Sequence, residues 1–162
     1  MTKTFSSKDF RDALGYFATG VCIATTTRGS ERIGITINSF ASVSLSPALV
    51  LFSVGRALHS FEVFEQATGF TINVLRQDQT ELSSRFARAG EDKWKDVPCV
   101  EGAHGGVILT GALASFDCKR HALHEGGDHL VLVGEVGAIR VADGCDAAPL
   151  VYYRSAYGQL KR

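Results

Sequence analysis

Residues 34–54 read GITINSFASVSLSPALVLFSV and constrain this chain more than any other stretch. Two apolar segments, 33–37 and 48–54, flank a middle rich in small polar groups. Thr36, Asn38, Ser39, Ser42, Ser44 and Ser46 supply hydroxyls and one amide there, and no charge. Strands joined through small neutral donors suit a polar ligand held by many uncharged hydrogen bonds. Pro47 lacks an N–H and marks the start of the second strand. Residues 48–54 are apolar nearly throughout, which predicts a strand covered on both faces.

The rest of the chain is read around that stretch. Ser6 and Asp9 have capping-box spacing, so a helix starts after Ser6 and stops before Gly20. Phe10, Ala13, Leu14 and Phe17 fall on one face of it, which is expected to pack across the body of the domain. Residues 21–27 are rich in β-branched side chains and read as a strand. A turn at 28–31 returns it as 32–37, a hairpin. Residues 56–66 suit a helix burying Leu58, Phe61 and Phe64. Residues 70–75 alternate and predict a half-buried strand with Thr71 and Asn73 outward. Asp78 and Glu81 mark a second capping box, followed by a helix face of Leu82, Phe86 and Ala89. Residues 90–106 form a long loop holding Trp94 and Pro98, and loops of that length are often functional. Residues 107–119 and 130–141 read as long strands and 149–153 as a last short one.

An early hairpin, two long late strands and inserted helices predict a mainly β fold, an antiparallel barrel rather than alternating βα units. At 162 residues the chain is read as one domain, 1–162. No glycine is followed by another two positions on, so a GxGxxG turn cannot occur, and no P-loop pattern is present. Any dinucleotide must be held some other way. The 17 basic and 17 acidic residues balance, which argues against a nucleic-acid partner. No apolar run approaches the roughly 18 residues of a membrane span. The N-terminal residues lack the apolar core of a signal peptide, so a cytoplasmic chain is expected. Cys22, Cys99, Cys118 and Cys145 form no CxxC pair and are expected as free thiols, with Cys22 buried.

Four constellations could carry chemistry. Thr36, Asn38, Ser39, Phe40 and Ser42 offer short donors and acceptors to the rim of a flat heterocycle, or else cap a turn. Ser84, Arg85 and Phe86 offer a guanidinium fork to a phosphate, or else a surface arginine beside a core ring. Residues 125–129 read EGGDH, where paired glycines let backbone approach a ligand and His129 stands at a strand rim. Tyr152, Tyr153 and Arg154, near Tyr157, could stack on a base or pack at a subunit interface. A metal reading of Cys118, His121, His124 and His129 with Asp117 and Asp128 fits no zinc spacing, and 118 and 121 face apart on a strand. No metal is expected.

Five ordered motifs, FATGVCIATT, GITINSFASVSLSPALVLFSV, SSRFA, GGDHLVLVGEV and PLVYYRSAYGQL, together resemble the short-chain flavin reductase family. The similarity runs over about residues 10–158. It implies an FMN-binding split β-barrel of antiparallel Greek-key type. It implies a reductase component of a two-component monooxygenase, passing hydride from NADH, in preference to NADPH, to FMN or FAD. By that resemblance Thr36, Asn38, Ser39 and Phe40 lie along the flavin ring, with Ser53 and Val54 as further contacts. Ser84, Arg85 and Phe86 match the stretch holding the ribityl phosphate region. His129 is placed at the nicotinamide as the catalytic-site residue, orienting it, while Tyr152 and Arg154 help hold the pyridine nucleotide. Many relatives carry paired hydroxyls at Leu58-His59-Ser60, where only Ser60 remains. The resemblance also implies a homodimer and an oxygenase partner. Two other readings stay open: a flavoprotein that retains FMN and reduces a metal complex or corrin, and a non-catalytic flavin-binding module.

Overall fold

The computed structural model describes residues 4–90, 92–142 and 147–160. Helix α1, Ser7–Leu14, precedes β1, Thr19–Gly20, and the hairpin β2, Cys22–Arg28, and β3, Glu31–Ile37. Then come β4, Ala41–Leu45, β5, Ala48–Gly55, the short α2, Phe61–Gln66, β6, Gly69–Val74, and α3, Thr80–Ala87. Strands β7, Cys99–Glu101, β8, Val107–Leu109, β9, Ala114–Gly126, and β10, His129–Val141, lead to β11, Val151–Tyr153, and β12, Ala156–Gly158.

Seven strands make one antiparallel sheet in the order β3-β2-β6-β9-β10-β5-β4. Its two edge strands are consecutive in the chain, joined only by Asn38, Ser39 and Phe40. Seven strands laid flat would separate those edges by about 29 Å. The link from Ile37 to Ala41 reaches roughly 14 Å at full stretch. The sheet must therefore curl until its edges meet, which is a barrel with one seam. No ladder closes that seam among the described residues; the covalent link 38–40 spans it, and Ser39 within the link carries the β4–β5 pairing past the Ala41–Leu51 pair. Its hydroxyl accepts from the Ser53 N–H at 3.0 Å and stands 3.4 Å from the Ser53 carbonyl.

In the barrel interior Phe52 meets Phe64 and Phe70 edge to face, with centroids 5.8 and 4.8 Å away. A second cluster lies beside it, where Val21, Ile23, Leu75, Leu109 and Leu150 meet Phe86 of α3. A smaller sheet, β1-β11-β12, adjoins this cluster, and β7 pairs with β8.

Several expectations are corrected. The α1 capping box is present, yet α1 buries no residue; Phe10, Leu14 and Phe17 are exposed. In β5, burial alternates instead of covering both faces: Val50, Phe52 and Val54 point inward and Ser53 does not. The helix expected over 56–66 starts only at Phe61. The preceding residues turn back to the β9–β10 tip through Arg56 N–H to the Asp128 carbonyl and an Arg56–Glu125 ion pair. Leu58 is consequently exposed, while Phe61 and Phe64 are buried.

Strand β6 is central and nearly wholly buried because the β7–β8 arm folds over its outer face. Asn73 there is fully satisfied. Its amide N–H groups donate to the Ile23 and Val107 carbonyls, and its Oδ1 accepts from Leu109 N–H and the Ser115 hydroxyl. Thr71 donates to buried Asp117. Asp78 does not cap α3: both its oxygens are taken by Arg76, and Gln79 is the N-cap residue. The loop 90–106 contains β7, and the strand expected over 107–119 is broken by a turn at 110–113. Strand β4 within the polar middle and β12 near the C-terminus add to the strands expected. Cys22 and Cys118 are buried free thiols and Cys99 is a half-buried one; Cys145 lies outside the described residues.

Candidate active site

A cleft of about 1050 Å³ opens between β3, the β5–α2 connection and the end of α3. Ile33, Gly34, Ile35 and Thr36 form one wall, and Leu58, His59, Ser60 and Val63 another. Phe86, Arg88, Lys93 and Trp94 close the third side. Gly34 is required by this packing, because a Cβ there would stand 2.5 Å from the Phe86 ring. Phe86 in turn meets Trp94 edge to face at 5.0 Å. A second hollow of about 920 Å³ shares Arg88, Gly90 and Lys93 with the first and adds Ser84, Arg85 and Lys95. The composite has apolar walls, a few hydroxyls and an end where four cations, Arg85, Arg88, Lys93 and Lys95, stand among three carboxylates, Glu81, Asp92 and Asp96, a size and character that suit a heterocyclic ligand carrying an anionic tail.

The polar groups are already oriented. Thr36 donates its hydroxyl proton to the Ser83 carbonyl at 2.6 Å. Only lone pairs remain on that oxygen, so toward the cleft it accepts. Arg85 donates to the Lys95 carbonyl at 3.0 Å and lies 3.6 Å from Glu81. Lys93 donates to the Phe86 carbonyl, and partial burial pulls its ammonium pKa down. Arg32 and Arg88 add charge to the larger cleft.

His129 opens β10 opposite Gly55, the last residue of β5. An added Cβ on Gly55 would sit 3.5 Å from Nε2, so the ring lies against that glycine. Nδ1 lies 2.8 Å from the Asp128 carboxylate. An ionised carboxylate only accepts, which puts the imidazole proton on Nδ1 and leaves Nε2 free. The same bond holds the Asp128 carboxyl below its ordinary pKa of 3.8. His129 lines neither hollow; it stands against Gly55, two residues before Ala57 of the cleft wall.

Of the residues expected from sequence, Thr36, Ser60 and Phe86 line the larger cleft and Ser84 and Arg85 the smaller. Asn38, Ser39 and Phe40 form the β3–β4 link and line neither hollow; Ser39 binds Ser53 of β5 and Phe40 packs on Phe116 at 5.5 Å. Ser53 shares its face of β5 with Gly55 and hence with His129. Val54 points the other way and is fully buried, so its side chain belongs to the core. Tyr152 and Arg154 lie on the small sheet. There Tyr152 meets Tyr157 at 5.6 Å, and the Arg154 guanidinium sits 4.9 Å over the Tyr16 ring. Arg32, His59, Arg88, Lys93 and Trp94 were not expected. Trp94, the single tryptophan, in the long loop was the available signal. The Cys118 and histidine cluster is not assembled: Cys118 is buried, His121 and His124 are exposed, and the described residues hold no group of three or more metal-ligating side chains. No helix among the described residues is long and apolar enough to cross a membrane.

Residues 14–161 match the model of the flavin reductase like domain. The FMN reductase (NADH) SmoA of Agrobacterium fabrum is 43% identical over 97% of this chain and 88% of its own. The reductase subunit HsaB of a flavin-dependent monooxygenase of Mycobacterium tuberculosis is 34% identical, over 97% of this chain and 84% of its own. Among solved structures, the NADH:FAD oxidoreductase of Streptomyces globisporus in complex with NAD and FAD fragments superposes with a TM-score of 0.89 at 32% identity. That match covers 99% of this chain and 98% of the other.

Proposed function

The chain belongs to the flavin reductase like domain family of split-barrel oxidoreductases, and from that premise we propose that it is an NADH-dependent flavin reductase acting on FMN or FAD. The reduced flavin is destined for a partner monooxygenase, as the names of relatives such as the HsaB subunit support. The observation that carries the reading is the cleft. It has apolar walls, hydroxyls from Thr36, Ser60 and Ser84, and a guanidinium and ammonium cluster of Arg85, Arg88, Lys93 and Lys95.

When bound, the flavin supplies the hydride-accepting ring and the nicotinamide the hydride; the protein supplies position and electrostatics. Thr36 offers an acceptor to a ligand N–H or O–H. Asn38 and the bonded Ser39–Ser53 pair present neutral polar groups along the ring edge, with Phe40 backing the β3–β4 link. Val54 contributes its backbone. Ser60, Ser84, Arg85 and the buried Phe86 hold the ribityl and phosphate end, with Arg88 and Lys93 adding charge. His129 orients the nicotinamide carboxamide through Nε2, and Tyr152 and Arg154 steady the pyridine nucleotide. No side-chain acid is needed for hydride arrival itself.

The functional unit is one domain per chain, residues 1–162, paired as a homodimer. Exposed Phe10 and Leu14 on α1, Phe17 just after it, and Ile139 and Val141 on β10 support the pairing. Sedimentation of the purified chain as a monomer would overturn that part. The activity is tested by following NADH consumption with FMN, FAD and riboflavin in turn. Consumption that depends on added flavin is expected; a constant NADH signal with all three contradicts the reading.

A further inference from the structure

Thr36 reaches the cleft from β3 with its proton already committed to the Ser83 carbonyl. Ser83 is wholly buried in the middle of α3, one turn ahead of Phe86 and beside Ser84 and Arg85. A buried hydroxyl needs a partner, and Ser83 finds it 74 residues away: its Oγ lies 2.8 Å from the Tyr157 hydroxyl. Tyr157 belongs to β12 of the small sheet, and its ring is braced edge to face by Tyr152. The β11–β12 turn is itself tied down, since the Arg154 N–H donates to the Gly15 carbonyl and its guanidinium covers Tyr16. An unbroken chain of contacts thus runs from a fixed C-terminal hairpin, through one phenol and one buried serine, to the cleft wall.

Resting on the flavin reading of that cleft, we propose that Tyr157 is a positioning residue for the flavin-binding lip. Through the Ser83 hydroxyl it fixes the middle turn of α3. The Ser83 carbonyl then fixes Thr36 as an acceptor, and the same turn sets Ser84, Arg85 and Phe86. Tyr157 lines neither hollow, so it acts through α3 and not by touching ligand.

The test is equilibrium flavin binding, followed by quenching of FMN fluorescence, for Tyr157→Phe, Ser83→Ala and the double variant. Tyr157→Phe removes one oxygen and keeps the ring on Tyr152. Loss of one neutral hydrogen bond is expected to weaken FMN binding about fivefold. Because both hydroxyls belong to one bond, the double variant is expected to match either single one. The KM for NADH at saturating FMN should stay within about twofold of the parent in all three, a split that general destabilisation would not give. FMN affinity unchanged in both single variants, in a parent that binds FMN, overturns the positioning role and leaves the flavin reading standing. Losses that add in the double variant, or an equal rise in the KM for NADH, also overturn it. A parent that binds no FMN overturns the flavin reading and this inference with it.

Discussion

The Ser39 hydroxyl accepts the Ser53 N–H at 3.0 Å and so carries the β4–β5 pairing past Ala41 and Leu51 into the link that joins the two sheet edges. That link is pinned to β5 by a side chain whose neighbours, Asn38 and Phe40, are proposed flavin contacts. Replacing Ser39 by alanine leaves the Ser53 N–H without its partner. A loss of about 1–2 kcal/mol in stability is expected by urea unfolding. Flavin affinity should fall with it, since Asn38 and Phe40 share this link. Unaltered stability would show that the link is held without this bond.

Gly34 and Phe86 make a second tight pair. Gly34→Ala places a methyl 2.5 Å from the ring, and Phe86 is backed by Trp94 and cannot retreat freely. The expected cost is about 1–3 kcal/mol, together with weaker flavin binding as the cleft wall shifts. Adding Phe86→Leu to Gly34→Ala should recover part of the stability lost. Thermal unfolding of the single and double variants checks this.

His129 is expected to separate the two ligands. His129→Ala should raise the KM for NADH about fivefold or more, while the flavin dissociation constant stays near the parent value. Equal damage to both would make the residue structural. The Asp128 carboxyl is held below 3.8 by its bond from His129. A depressed carboxyl pKa makes the pairing complete above the ordinary value and lost only as pH falls through the lower one. NADH binding should therefore show no Asp128 titration between pH 5 and 8.

The barrel was largely legible in the chain because its strands carry local signals: β-branched runs, turns at glycine pairs and a proline at a strand start. What was hidden depended on distant partners. Nothing near Asn73 announces that Val107, Leu109 and Ser115 will satisfy it, so β6 looked half exposed. Phe10, Leu14 and Phe17 carry core periodicity, yet α1 ends at Leu14 and no element among the described residues covers the stripe. Periodicity reports that a face is apolar, not which surface receives it. At the site, Thr36 and Arg85 stood in recognisable motifs. Arg88 and Lys93 came to the cleft only because the chain after α3 folds back over it.

Burial pushes the thiols of Cys22 and Cys118 up to about 12. Both should resist alkylation in the native protein and react once it unfolds, as mass spectrometry of iodoacetamide-treated samples would read. Stability should fall as pH rises above the ordinary thiol value of 9.0, because the unfolded chain then releases protons that the folded one retains. The slope is about 1.4 kcal/mol per pH unit for each thiol. Urea unfolding midpoints across that range measure it.

The most direct measurement is anaerobic: the purified chain is mixed with NADH and FMN, and both absorption bands are followed together. One flavin should bleach for each NADH consumed, and the parent should do so far faster than the ligands alone. NADH consumed without flavin bleaching, or neither band changing faster than in protein-free buffer, would contradict the claim that this cleft brings the two rings together for hydride transfer.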